Sequence, residues 1–227
     1  AKQKIEYIIF MQNPYAIFST NDFKTLEAAY EGSKLVLYYS REMKKGILKA
    51  FPKIKNKLFK TQTSFDSKKL KFNKKLNTIT YMPRKLPMHS VLVLNYLRNR
   101  LPKKWKFDPI ENLNEEQTFI KLKKYKIFLS FSFLEGLGMP PLEAAIAGNK
   151  VIGYTGEGGK EYWRKPIFTE IHNGDIFRFC DEVIKNLEDK NFLKKSKNQR
   201  NKIIKMYLKK NEENTINKFL NKSLKNK

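Results

Sequence analysis

Cysteine is nearly absent from this chain, acidic residues are scarce, and no apolar run is long. Cys180 is the only cysteine, so no intramolecular disulfide can form and a cysteine-rich metal site is excluded. His89 and His172 are the only histidines, and neither pairs with a cysteine or a second histidine, so both read as structural or exposed rather than as metal ligands. The runs YIIFM, LVLYY and VLVLNYL fall well short of the ~20 residues a membrane-spanning helix needs. The opening AKQKIEYIIFMQNPY lacks the form of a secretory signal, because Asn13-Pro14 interrupts a short apolar stretch before any small-residue cleavage site. These absences make a soluble cytoplasmic protein the expectation.

With 22 acidic against 47 basic residues the formal net charge is +25, which suits anionic partners such as nucleic acid, anionic lipid or phosphorylated ligands. Only seven of the basic residues are arginines, and lysine travels with many Asn, Ile and Phe, the profile of an AT-rich gene. Arginine is the better residue for bidentate phosphate and base contacts, so its scarcity weighs against dedicated nucleic-acid binding. General anion attraction, including peripheral contact with an anionic membrane at the inner face, fits the charge better.

What is present is an alternation of short apolar runs and amphipathic stretches over 227 residues, enough for one large or two small domains. That alternation predicts an α/β fold on a doubly wound parallel sheet. IEYIIFM (5–11) and KLVLYYS (34–40) read as buried strands, with a helix capped by Asn21-Asp22 between them and another capped by Ser40 after them. KNKLFKTQ reads as a further strand. Residues 63–76 are polar and basic without periodicity, which places a linker there. The next strand is NTITYMP (77–83), followed by a helix with an apolar stripe through Val91, Leu94 and Leu97. A strand in KWKFDPI, a helix in NLNEEQTFIKLKKY, the strand KIFLSFS, the helix PPLEAAIAG, the strand KVIGYTG, the strand IFTEI and the helix DIFRFCDEVIKNL complete a second unit to residue 188. Residues 189–227 read as basic helices.

The stretch FLSFSFLEGLGMPPLEAAIAGNK concentrates the chemistry. In a parallel α/β sheet, ligands sit beyond the carboxyl ends of the strands, where loops feed helix N-termini. Here the strand ends near Ser132, and Pro140-Pro141 suits the first turn of a helix. Gly136 and Gly138 let the backbone approach a ligand, and the exposed N–H groups at the helix start favour a phosphate. Glu135 projects from the loop and Glu143 lies about one turn into the helix. Carboxylates beside a phosphate cradle repel it unless they accept hydrogen bonds from hydroxyls. A nucleotide sugar, with a diphosphate between two hydroxyl-rich groups, meets both demands.

The run from Glu135 to Gly148, EGLGMPPLEAAIAG, resembles the Glu-x7-Glu motif of retaining GT-B glycosyltransferases, especially glycosyltransferase family 4. VIGYTGEGGKEYW, which follows, is similar to that family's next strand and Gly-Gly loop. The resemblance implies a GT-B C-terminal, donor-binding domain over 77–188, preceded by a partial N-terminal domain over 1–62. It implies a glycosyltransferase that moves a sugar from a nucleotide-diphosphate donor to a carbohydrate or lipid-linked acceptor, with retention, and with no cofactor or metal beyond that donor substrate. Glu135 would be the catalytic residue, contacting the donor sugar's hydroxyls and orienting the reacting sugar. Glu143 would bind the ribose, and Gly136, Leu137, Gly138 and Met139 would hold the diphosphate. Gly158 and Gly159 would line the same cleft. Arg84 and Lys85 supply the family's basic pair, with Pro83 where its usual glycine stands, and the nucleobase would sit near residues 110–113. The basic C-terminal helices would present a solvated face or pack back across the domain interface.

The chain is short for two complete domains of that kind, so a fragment and a compact homologue both fit. Tyr162 and Trp163 read as packing residues, and Glu161 as support for the Gly-Gly turn. Two other readings stand beside the transferase: a non-catalytic nucleotide-sugar-binding or partner subunit, and a basic nucleic-acid-binding α/β module.

Overall fold

A computed structural model describes residues 5–72 and 74–224; residues 1–4 of the expected N-terminal unit, Asn73 of the expected linker and residues 225–227 of the C-terminal helices lie outside them. The described chain forms two parallel sheets, each on its own core. The first unit contains β1 (Ile8–Phe10), α1 (Pro14–Ile17), α2 (Phe23–Gly32), β2 (Leu35–Tyr38), α3 (Arg41–Ala50), a 3-10 turn (Pro52–Lys57) and β3 (Leu58–Lys60). Its strands run in the order β1-β2-β3, all parallel. Side-chain caps set its helices: Asn13 accepts from Tyr15 N, Asp22 from Thr25 N and Ser40 from Met43 N, each satisfying a first-turn N–H. Met11, Tyr30, Val36, Met43, Ile47 and Ile54 fill its core.

The second unit contains β4 (Leu76–Tyr81), α4 (Pro87–Leu97), β5 (Lys106–Phe107), α5 (Glu115–Lys124), β6 (Tyr125–Glu135), α6 (Met139–Ile146), β7 (Lys150–Glu157), a 3-10 turn (Gly158–Glu161), β8 (Phe168–Glu170) and α7 (Ile176–Asn186). The sheet order is β5-β4-β6-β7-β8, again all parallel. Central β6 is buried on both faces for most of its length, as a strand covered by helices on each side must be. Alternation along it splits the core. Phe128 points to the side covered by α5 and α6, where Leu122, Leu142 and Ala145 are buried. Ile127, Leu129 and Phe131 point to the side covered by α4 and α7, where Val93, Leu97 and Phe179 are buried. This is the Rossmann-like α/β architecture the sequence predicts. α8 (Phe192–Met206) packs Ile203 and Tyr207 onto the first of these cores. α9 (Lys209–Leu224) returns to the smaller unit, where Thr215 accepts from Gln62 N at 3.1 Å and Phe219 meets Phe59 at 5.7 Å between ring centroids.

Several local expectations are corrected. β1 is shorter than 5–11 and lies at the edge of its sheet among the described strands, with Ile8 and Phe10 exposed instead of buried. The buried stripe of α4 runs through Ser90, Val93 and Leu97, while Val91 faces out; a helix apolar on every side gives periodicity little to choose between. In the expected linker segment, Phe65 and Leu70 are buried in the larger core.

Candidate functional site

Beyond the carboxyl end of β4 lies a cleft of about 440 Å³. Arg84, from the turn after β4, forms one wall with Ile110, Asn112 and Leu113, and Glu115 and Glu143 close it from α5 and α6. Local pairing fixes the 108–110 wall. Asp108 N donates to Ile79 O at 3.0 Å and Ile110 N to Tyr81 O at 2.8 Å, so this segment continues the edge of β4. Burial opposes the charge on Asp108, but hydrogen bonds from Lys121 and Tyr125 outweigh it and hold its carboxyl below the usual range. Asn112 then turns the loop with φ +52°, a left-handed conformation that asparagine tolerates better than most residues.

Glu143 enters from the first turns of α6. Burial pushes its carboxyl up to about 7, with the Glu115 charge adding to the effect. Near neutral pH it therefore both accepts and donates hydrogen bonds, which suits a pair of hydroxyls. Its surroundings differ from those of Glu135, whose Oε1 lies 2.5 Å from Lys85 Nζ at the end of β6. Arg84 and Lys85 are neighbours in sequence, so one turn sends its two cations to the two glutamates' separate halves of the site.

The loop joining those halves is tightly built. Gly138 is the N-cap of α6 at φ +80°, a backbone state that would strain a residue with a side chain, and its carbonyl accepts from Tyr162 OH at 2.7 Å. Pro140 and Pro141 lack N–H groups, which concentrates the amide donors of this helix end at Gly138 and Met139. Gly136 is buried against protein: a Cβ there would stand 2.5 Å from Gln12 O and 2.6 Å from Met43 Cε. A Cβ on Gly158 would stand 2.3 Å from Gly136 O. The close approach that Gly136 and Gly158 permit is thus to neighbouring backbone.

The structure brings Arg84, residues 110–113 and Glu143 together in one cleft, and Lys85 and Glu135 together beside it. Leu137 is buried, Met139 is partly open, and Gly158 and Gly159 lie beneath the loop against Gly136, Tyr162 and Trp163 instead of on the wall of the 440 Å³ cleft. Tyr162 and Trp163 are buried, and His89 meets Tyr154 at 3.1 Å.

Sequence reasoning missed the clasp by which the smaller unit holds this loop. Ser40 Oγ donates to Gly136 O, Arg41 N donates to Glu161 Oε2 at 2.8 Å, and Asn13 Nδ2 donates to Leu134 O at 3.1 Å. It also missed Glu115 as a cleft residue; the capping box of Asn114 with Gln117 was the available signal, since it fixes where α5 begins and the wall ends. Among the described residues, no group of three or more His, Cys, Asp or Glu side chains is placed to hold a metal ion, and no helix is long and apolar enough to cross a membrane.

No protein-family model matches the chain, and no curated protein matches it in sequence. Solved structures do match in fold. HepE of Anabaena, in complex with UDP and glucose, aligns with a TM-score of 0.75 at 12% identity, over 95% of this chain and 71% of HepE. A TarM variant of S. aureus, in complex with UDP, Fondaparinux and alpha-GlcNAc-glycerol, aligns with a TM-score of 0.72 at 14% identity, over 95% of this chain and 50% of TarM. The pneumococcal O-GlcNAc transferase GtfA, in complex with UDP and GlcNAc, gives 0.70 at 11% identity, over 96% of this chain and 53% of GtfA. The chain thus spans about half the length of TarM and GtfA. At these identities the likeness establishes the shared α/β fold.

Proposed function

We propose that the chain is a retaining glycosyltransferase of the GT-B type, transferring a sugar from a nucleoside-diphosphate donor to a carbohydrate or lipid-linked acceptor. The observation that carries this reading is the junction at the carboxyl ends of β4 and β6. One 440 Å³ cleft holds Arg84, the 110–113 wall and Glu143, and it adjoins the Lys85–Glu135 pair across the start of α6. Such a site has room for a nucleoside in the cleft, cations at the level of a diphosphate, and a carboxylate beyond it for the sugar. The UDP carried by HepE, TarM and GtfA in complexes of the same fold supports a uridine donor as the first to try.

On this reading Glu143 binds the ribose hydroxyls and the base lies against Ile110 and Leu113. Arg84, Lys85 and the N–H groups of Gly138 and Met139 face the diphosphate. In the reaction the bond from the anomeric carbon to the diphosphate oxygen breaks, and the acceptor's hydroxyl oxygen bonds to that carbon as its proton passes to the departing diphosphate oxygen. The departing diphosphate keeps the electron pair, and the cations and amides stabilise the charge that collects on it. Lys85 exchanges its hold on Glu135 for the phosphate, which frees Glu135 to orient the sugar.

The test is a thermal-shift screen of the chain against UDP-, GDP-, ADP- and dTDP-sugars, followed by a product assay with the stabilising donor. One nucleotide sugar should raise Tm, and the rise should vanish in Glu143→Ala. Failure of all of them to shift Tm at concentrations well above plausible affinities contradicts the reading. A donor that binds without turnover or hydrolysis favours a non-catalytic nucleotide-sugar-binding subunit.

A further inference from the structure

We propose that the outer face of α4 and the start of α7 form a docking surface for an anionic lipid bilayer. The helix buries one side, through Ser90, Val93 and Leu97, against the sheet. On the opposite side Met88, Leu92 and Tyr96 recur every four residues, with Val91 beside them, and all four are open to solvent. Met88 is 73% exposed and Val91 56%, values that a monomer in water has little reason to give a row of apolar side chains. Phe177 of α7 is 66% exposed and extends the patch, its ring centroid 5.2 Å from that of Tyr96. The row from Met88 to Tyr96 spans about 12 Å along the helix, so the face is a strip long enough to lie in the plane of an interface.

Charge identifies the occupant. From Arg84 to Phe107 the sequence holds seven basic residues and no acidic one. All seven, Arg84, Lys85, Arg98, Arg100, Lys103, Lys104 and Lys106, are exposed. Arg178 adds an exposed cation next to Phe177, while Arg100 and Lys104 are partly offset by Asp181 and Glu188. An apolar strip rimmed by cations matches a membrane with anionic headgroups, where the strip enters the acyl boundary and each rim cation meets the surface potential. A second copy fits less well, because a symmetric pairing of this face would set the same cations against each other on chains of net charge +25. Nucleic acid would leave the apolar strip without a partner. The surface stands independently of the donor reading, because Arg98, Arg100, Lys103, Lys104, Lys106 and Arg178 supply its cations without Arg84 and Lys85, which that reading assigns to the donor.

The test is co-sedimentation of the chain with vesicles of phosphatidylcholine alone or mixed with phosphatidylglycerol. The chain should pellet with the phosphatidylglycerol vesicles, stay in solution with the neutral ones, and be released by salt. The double variant Leu92→Glu, Phe177→Glu should partition roughly tenfold less while keeping its circular dichroism and Tm. Should that variant fail to fold, Met88→Trp decides: the added indole's emission should shift to the blue with anionic vesicles, and brominated phosphatidylglycerol should quench it. Three results each overturn the proposal. They are no binding to anionic vesicles, equal binding by the folded double variant, and an emission from the Met88→Trp variant that vesicles leave unchanged. A dimer in solution that Leu92→Glu dissolves would also overturn it, by giving the face to a second copy.

Discussion

Glu135 and Glu143 stand at two ends of one loop and helix start, yet they live in opposite electrostatic conditions. Glu135 is held in an ion pair with Lys85 at the rim of the site. Glu143 faces a cleft shared with Arg84 and Glu115, and burial, with the Glu115 charge adding to it, lifts its pKa to about 7. The first is a charge that already has a partner and can exchange it. The second is a group half-way to neutral, suited to hydroxyls that both give and take protons in hydrogen bonds. What separates them is the tight turn from Gly136 to Met139, which the smaller unit clasps from below. The comparison teaches that equal residue types in one motif acquire different electrostatic surroundings from what the fold puts beside them.

The largest effect that sharpens this contrast is in the pH dependence of stability. A carboxyl whose folded pKa is raised costs nothing below its unfolded value, because both states are protonated there. As pH rises from about 4.5 towards 7 the unfolded chain ionises first and stability falls, by about 3 kcal/mol once both states are ionised. Glu143→Gln should remove that loss. Urea denaturation should show the variant and the parent alike at about pH 4 and the variant ahead by about 3 kcal/mol at about pH 8. A difference that does not change with pH would place Glu143 in an ordinary environment.

Next in size is the turn itself. Gly158→Ala would place a Cβ 2.3 Å from Gly136 O and 2.7 Å from Leu137 N, both backbone atoms that cannot swing aside. A loss of about 1–3 kcal/mol in thermal or chemical denaturation is expected, together with weaker nucleotide binding as the start of α6 shifts. An alanine accepted at no loss would show that the turn is looser than its contacts imply.

The smallest effect belongs to the exposed pair. Lys85→Ala should change stability by less than about 1 kcal/mol, because Lys85 is open to water and gains little from pairing. On the proposed function it should still lower donor turnover clearly. A large stability loss without any change in turnover would make Lys85 a structural residue and break the contrast with Glu143.

Much of this was legible before any coordinates. Alternating apolar runs and helix caps give the parallel α/β order, and Asp22 and Ser40 cap the helices as the sequence suggests. The loop between a buried strand and a proline-started helix marks Glu135 and Glu143 at once. What stayed hidden depends on contacts distant in sequence. Ser40 reaches Gly136 across 96 positions, and Arg41 reaches Glu161 across 120, so no local pattern contains either. The raised pKa of Glu143 was equally hidden, because it comes from burial in the folded cleft and, secondarily, from Glu115 on a different helix. The exposure of β1 escaped notice because an apolar run shows that a strand forms there without showing whether anything lies beside it.

The central claim is that the cleft holding Arg84 and Glu143 binds the nucleoside diphosphate of a sugar donor. Calorimetric titration of the parent chain and Glu143→Ala with UDP, GDP, ADP and dTDP tests it most directly. One nucleotide should bind the parent and lose roughly a hundredfold in affinity in the variant, the scale expected when hydrogen bonds to a charged group are removed, while the variant's circular dichroism is unchanged. Binding of equal strength by both proteins, or no binding of any of the four by the parent, would contradict the account.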